Sequence, residues 1–178
     1  MSDLLEERID SSLVYDGALL KVRRDEVSLP DGKHAFREYI NHPGASVVIA
    51  FLQNGNLLLE RQFRYPLNRV FIELPAGKID PGESPLQCAK RELLEETGYR
   101  AESWQEIATL HRCIGYSDER LVYFLAKDLC FSGKNVDEGE HIEHFELPLH
   151  VALEMVKKGE ITDIKTIAGL FWAERLFT

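Results

Sequence analysis

The sequence predicts an α/β sandwich, a mixed β-sheet covered by helices, and three observations point to it. Strand-like runs come in hairpins instead of alternating regularly with helices, which argues against a doubly wound parallel sheet. Helical segments are few, one at residues 84–97 and two near the C-terminus. The run ASVVIAFL at residues 45–52 is almost continuously apolar, the pattern of a strand covered on both faces. With 178 residues, 44% of them apolar, the chain suffices for one sizeable core.

Taken in order, residues 19–29 form a first strand, and Pro30-Asp31-Gly32 turns it into a second at residues 33–40. This antiparallel strand region, residues 1–43, is set apart from a main domain at residues 44–178. After residues 45–52, Asn54-Gly55 is a strong hairpin signal leading to a strand at residues 56–62. Residues 69–74 read as a short strand, and Pro75-Ala76-Gly77 should stop regular structure. Ser84 is suited to cap a helix with Pro85 in its first turn, and Gly98 supplies the stop. Along that helix Leu86, Ala89 and Leu93 recur at core-facing spacing, while Glu92, Glu95 and Glu96, at i, i+3 and i+4, gather on another side. Strands at residues 104–112 and 121–129, an acidic segment at 135–143 and a short strand to Leu147 follow. Helices at 148–158, stopped by Gly159, and at 165–177 complete the chain.

Composition excludes several classes. A formal charge of −9 without a basic patch argues against nucleic acid as a partner. No apolar run approaches the roughly 20 residues of a membrane span, and the N-terminal MSDLLEERID lacks the basic and apolar regions of a secretory signal, so a cytoplasmic protein is expected. Cys88, Cys113 and Cys130 are odd in number and form no C-x-x-C pair, which suggests neither a disulfide framework nor a zinc site. His141 and His144, three residues apart without further ligands, read as ordinary polar histidines.

The chemistry concentrates in residues 77–99, GKIDPGESPLQCAKRELLEETGY. A glycine-containing loop followed by a helix with three carboxylates on one side is a device for holding divalent cations against a diphosphate. The P–O–P link is kinetically stable and its oxygens are charged, so attack by water needs that charge neutralised. Mg²⁺ prefers oxygen ligands, and Glu92 and Glu96, one helical turn apart, are the first-choice donors with Glu95 close behind. Bound cations of this kind polarise a phosphoryl group and acidify the attacking water. An isolated E-x-x-E-E would instead be an exposed face with Arg–Glu pairs worth about 0.2–0.5 kcal/mol each. Here Gly77, Glu83, Arg91, Glu92, Glu95, Glu96 and Gly98 all stand at fixed spacing. At roughly 6–7% usage apiece, such a coincidence arises on the order of once in 10⁸ to 10⁹ windows.

That spacing, G-x5-E-x7-R-E-U-x-E-E-x-G-U with U apolar and Tyr99 at the last U, resembles the signature of the Nudix hydrolases. The resemblance implies an α/β/α sandwich with a mixed sheet on which helix 84–97 packs. It also implies that the Ala76 carbonyl completes the coordination, that Arg91 orients the glutamates, that Glu83 supports them, and that Mn²⁺ can replace Mg²⁺. E-L-P-A-G at 73–77, R-Q-F-R-Y-P at 61–66 and D-I-K-T at 163–166 resemble the ADP-ribose pyrophosphatase branch. In that branch an E-x-E-x-I loop follows the motif, here Glu138-Gly139-Glu140-His141-Ile142. Glu138 is then the candidate general base, acting with Glu96, Arg91 and Glu95, and Glu140 a further metal-side carboxylate. By the same resemblance Arg64 holds the diphosphate and Arg37, Glu73 and Glu119 lie on the substrate side. Guanidinium suits this role because its fork pairs with phosphate bidentately. Many proteins of the branch are homodimers whose N-terminal strands cross to the partner, and a homodimer is expected here.

Substrate choice follows from the same branch. ADP-ribose, giving AMP and ribose 5-phosphate, is the first expectation, then nucleotide sugars such as GDP-mannose or ADP-glucose, then dinucleoside polyphosphates. The branch usually carries a proline where this chain has Ile114 and Gly115, and Tyr116 falls where dinucleoside polyphosphate hydrolases tend to have tyrosine. Ser117 and Glu119 nevertheless keep the register of the S-P-G-x-S-x-E loop. A non-catalytic nucleotide-sugar sensor of the same fold would be free to lose the carboxylates that this chain keeps. An isopentenyl diphosphate isomerase would need extra Cys and Glu motifs that are not found.

Overall fold

A computed structural model describes residues 4–133 and 141–177. The chain divides into two units, Met1–Gly44 with His111–Arg120, and Ala45–Leu110 with Leu121–Thr178.

The first unit is an antiparallel meander of β1 (Glu7–Asp16), β2 (Lys21–Ser28) and β3 (His34–Ile40). β2 and β3 are the expected hairpin. Gly32 takes the positive φ of 80° that its turn requires, and its N–H donates to the Leu29 carbonyl. β1 lies outside the sequence-based expectation. Ile9, Leu13 and Tyr15 do alternate along it, but polar residues interrupt them and all three remain about half exposed. Val27 is the one apolar side chain of these strands that is buried, so the meander draws little stabilisation from a core of its own. The His111–Arg120 loop is stitched to it where the Ile40 N–H donates to the Tyr116 carbonyl (2.9 Å) and Asp118 accepts from the His42 N–H (2.6 Å).

The second unit contains β4 (Ala45–Ala50), β5 (Asn56–Arg64), β6 (Arg69–Glu73), β7 (Ala76–Lys78), α1 (Pro85–Thr97), β8 (Tyr99–His111), β9 (Arg120–Phe131), β10 (Ile142–Pro148), α2 (Leu149–Lys157) and α3 (Ile164–Phe177). One sheet is mixed, in the order β7-β4-β9-β8, with β4 parallel to β9 and antiparallel to β7. The other is antiparallel with β5 between β10 and β6. Every residue of β4 is buried, as its apolar run required. Alternate residues of β4 and β9 serve opposite faces. Val47, Ile49, Leu121, Tyr123 and Leu125 pack with Leu57, Leu59, Leu153 and Leu170, whereas Val48, Ala50, Val122 and Phe124 pack with Leu58, Ala89 and Leu93. Helices α2 and α3 therefore cover one face and α1 the other, the sandwich expected from sequence. Leu93 alone, fully buried, contributes about 1.5–3 kcal/mol.

Two boundaries differ from expectation. Regular structure does stop at Leu74 and Pro75, but the break is shorter than expected: the Pro75 carbonyl accepts from the Val48 N–H (2.9 Å), and Ala76, Gly77 and Lys78 pair with Val47, Ser46 and Ala45 as a strand of the other sheet. Proline removes a donor but leaves an acceptor, so a new strand can begin directly after it. β8 starts at Tyr99, five residues before the predicted 104, because Gly98 ends α1 in a left-handed conformation (φ 78°) and turns the chain straight into strand. Among the described residues no helix is long and apolar enough to cross a membrane.

Candidate active site

Helix α1 presents the motif, and its start is closed by its own side chains. Ser84 Oγ accepts from the Gln87 N–H and Gln87 Oε1 accepts from the Ser84 N–H (2.8 Å), a reciprocal capping box with Pro85 in the first turn. Cys88, Ala89 and Leu93 are buried beneath it. The Cys88 thiol donates to the carbonyls of Gly77 (3.4 Å) and Lys78 (3.3 Å), and burial pushes it up to about 11, which keeps it protonated as a donor. The motif loop is thus held from the helix side.

The opposite face gathers around Arg91. Its guanidinium donates to both oxygens of Glu83 (3.0 Å each), to Glu92 (2.7 Å), to Glu95 (3.1 Å) and to the Lys78 carbonyl (3.0 Å). Glu83 also accepts from the Asp80 N–H (3.1 Å), and the Arg91 fork holds its carboxyl below the usual range. Glu96 is buried and accepts from the Ala76 N–H at 3.1 Å, which ties β7 to the last turn of α1. The Glu92 carboxylate lies over Gly77, where an added Cβ would come within 1.8 Å of its oxygen. A Gly77→Ala protein is therefore expected to fold with the Glu92 side chain displaced and to lose roughly 10- to 100-fold in divalent-cation affinity, read by titration calorimetry.

The structure thus brings Ala76, Glu92, Glu95, Glu96, Arg91 and Glu83 together. Glu138 and Glu140 lie outside the described residues. Arg64 and Glu73 meet in a bidentate pair, both bonds 2.7 Å. Arg37 and Glu119 belong to the first unit, where Arg37 forks onto Glu6 and Glu119, itself buried, takes a bidentate pair from Arg112 (2.8 Å each).

Sequence reading assigned no role to Lys165, Asp163 or Glu60. Lys165 is buried and donates to Glu73 and to Asp163 (2.9 Å), while Thr166 Oγ1 accepts from the Leu74 N–H and donates to Asp163. Burial pushes the Glu73 carboxyl up, but Arg64 and Lys165 outweigh it and hold it below its usual value of 4.5; Lys165 and Thr166 do the same for Asp163 below 3.8. Both folded values are depressed. The stability these pairs confer is therefore complete above the unfolded values and lost as pH falls through the folded ones. A Lys165→Met protein should show a shallower fall of melting temperature below pH 4.5 than the parent. Glu60 is different. It is buried beside these groups, and burial pushes its carboxyl up to about 7.

All of the carboxylate donors around α1 are hard oxygen ligands, and three glutamates there share one guanidinium while a fourth, Glu96, is held by a backbone amide. That excess of negative charge fits a divalent cation. Among the described residues no three Asp, Glu, His or Cys side chains already surround one point, since Arg91 draws Glu83, Glu92 and Glu95 toward itself. A bound cation would supply charge neutralisation for the phosphate oxygens. The protein's part is to orient the carboxylates through Arg91, fix Glu96 on the Ala76 amide and keep Gly77 small beneath Glu92.

The model of the NUDIX domain matches residues 41–170. The chain belongs to the Nudix family. A second model, the nucleoside diphosphate sugar hydrolase N-terminal domain, matches residues 6–40. The chain is 38% identical over 168 residues to an ADP-ribose pyrophosphatase of Bacillus subtilis, covering 93% of this chain and 91% of the relative. It is 36% identical to the methanol dehydrogenase activator of Bacillus methanolicus (96% and 94%) and 38% identical to a GDP-mannose pyrophosphatase of Yersinia pestis (74% and 70%). A crystal structure of an ADP compounds hydrolase superposes with a TM-score of 0.87 at 21% identity, covering 99% of this chain and 96% of that one. This Nudix protein is a pyrophosphohydrolase that cleaves a nucleoside diphosphate derivative, and Nudix hydrolases generally use divalent cations.

Proposed function

We propose that this Nudix enzyme hydrolyses ADP-ribose to AMP and ribose 5-phosphate in the cytoplasm with Mg²⁺, for which Mn²⁺ can substitute. A water oxygen bonds one phosphorus, the bridging P–O bond breaks, and two phosphomonoesters leave. The observation that carries this reading is similarity to an ADP-ribose pyrophosphatase along 93% of the chain, whereas the GDP-mannose pyrophosphatase matches 74%.

In this reading Glu92, Glu96 and the Ala76 carbonyl hold the cation with Glu95 and Glu140 beside them, and Glu138 deprotonates water. Arg64, kept in its fork by Glu73, faces the diphosphate, and Arg37 and Glu119 are further candidate substrate-side residues. Residues 44–178 act as the hydrolase domain and residues 1–43 as the dimerising strands. The meander's exposed apolar residues and near-absence of a core support the dimer.

The test is a Mg²⁺-dependent panel of ADP-ribose, GDP-mannose, ADP-glucose and diadenosine polyphosphates, with products identified. AMP plus ribose 5-phosphate at the highest kcat/KM is expected. A tenfold preference for GDP-mannose would move the assignment to nucleotide sugars. A solution mass showing only monomer would remove the dimer.

A further inference from the structure

Strand β5 reads L-L-L-E at residues 57–60, and the glutamate is as inaccessible as the leucines: Leu57, Leu58 and Leu59 are fully buried and Glu60 is 1% exposed. Side chains two apart on a strand share a face. Glu60 therefore projects on the side where Leu58 packs with Ala89 and Leu93 of α1. It stands opposite Glu73 on β6 and His144 on β10.

Neither Glu60 oxygen finds a hydrogen-bond donor among the described residues. The Glu96 carboxylate lies within hydrogen-bonding reach, and without a cation the two are satisfied together only by sharing a proton, since two ionised carboxylates are both acceptors. The nearby cations are engaged elsewhere. Arg64 gives two bonds to Glu73, and Lys165 bonds Glu73 and Asp163. Four carboxylates, three of them buried, thus face two cations, of which Lys165 is buried and Arg64 partly exposed. A buried carboxylate without a donor is destabilising, and its presence in a strand of leucines calls for a ligand that repays it.

We propose that Glu60 is a further divalent-cation carboxylate of this active site, its side chain and that of Glu96 forming the inner end of the cation site between β5 and α1. The inference rests on the reading of Glu96 as a cation ligand. It adds a donor from outside the motif, on a strand fixed by ladder bonds to both neighbours. The oxygens that lack donors in the protein are the ones a divalent cation would satisfy.

The experiment measures Mn²⁺ binding to the full-length protein by the loss of the free-ion EPR signal, and the melting temperature in EDTA. The parent is compared with Glu60→Gln, Glu60→Leu and Glu96→Gln. Glu60→Gln and Glu60→Leu should each weaken Mn²⁺ binding about tenfold or more. The Leu variant should melt no lower than the parent in EDTA, because it continues the apolar run. Mn²⁺ affinity within twofold of the parent in the Glu60 variants, with Glu96→Gln impaired, overturns the role of Glu60 alone. Unchanged affinity in Glu96→Gln overturns the underlying ligand reading. A Glu60→Leu protein that melts lower in EDTA and binds Mn²⁺ normally would make Glu60 a structural residue and also end the proposal.

Discussion

A Glu96→Gln protein is expected to turn over its substrate at least about 100-fold more slowly than the parent while melting within a few degrees of it. The substitution keeps the volume of a side chain only 5% exposed, and the amide oxygen of Gln can still accept from the Ala76 N–H. What disappears is charge. The link between β7 and α1 survives, so a rate loss reports the cation site rather than the fold. Steady-state kinetics at saturating Mg²⁺ with a thermal melt of the same preparation checks this, and turnover within a few-fold of the parent would make Glu96 a purely structural residue.

Arg91→Met should be the more damaging change to stability. It removes the donor shared by Glu83, Glu92, Glu95 and the Lys78 carbonyl, leaving three carboxylates facing one another without a counter-ion. For a network of this partial burial the loss should be about 2–3 kcal/mol at neutral pH. It should shrink as acid neutralises the glutamates. Denaturant melts at several pH values test the sign, and a loss that grows on acidification would contradict the account. Arg91→Lys should recover little, since one ammonium cannot reproduce a fork that reaches Glu83 with two nitrogens.

The motif was legible because its chemistry is local: seven residues within a span of 22, on a loop and a helix whose cap and stop are written in Ser84, Pro85 and Gly98. β4 was legible for a related reason, its double burial leaving an unbroken apolar run. β1 was not, because a strand with little apolar burial has no strong pattern to show. Pairing across the fold was also invisible. Nothing near Lys165 announces that it meets Glu73, 92 positions away, or that Glu60 ends a leucine run under the same helix. Glu60 carried a signal that was overlooked, a charged residue continuing a buried strand. Glu73 was quoted as part of a motif, yet its bidentate hold on Arg64 became visible only through the β5–β6 register.

The sealed N-terminus of α1 has a further consequence. Its capping box and Pro85 use up donors that elsewhere cradle phosphate, and its first turn holds no acidic residue. Glu92, Glu95 and Glu96 crowd instead into the last two turns, where aligned peptide dipoles already present partial negative charge; the last turn itself holds no basic residue, and Arg91, further up the helix, answers only Glu92 and Glu95. The helix is electrostatically inverted with respect to its own macrodipole, at a cost of about 0.3–1 kcal/mol per misplaced carboxylate. Neutralising Glu95 should therefore raise the melting temperature of the cation-free protein while slowing catalysis. In this enzyme the strength of the cation site and the intrinsic stability of its helix are opposed quantities.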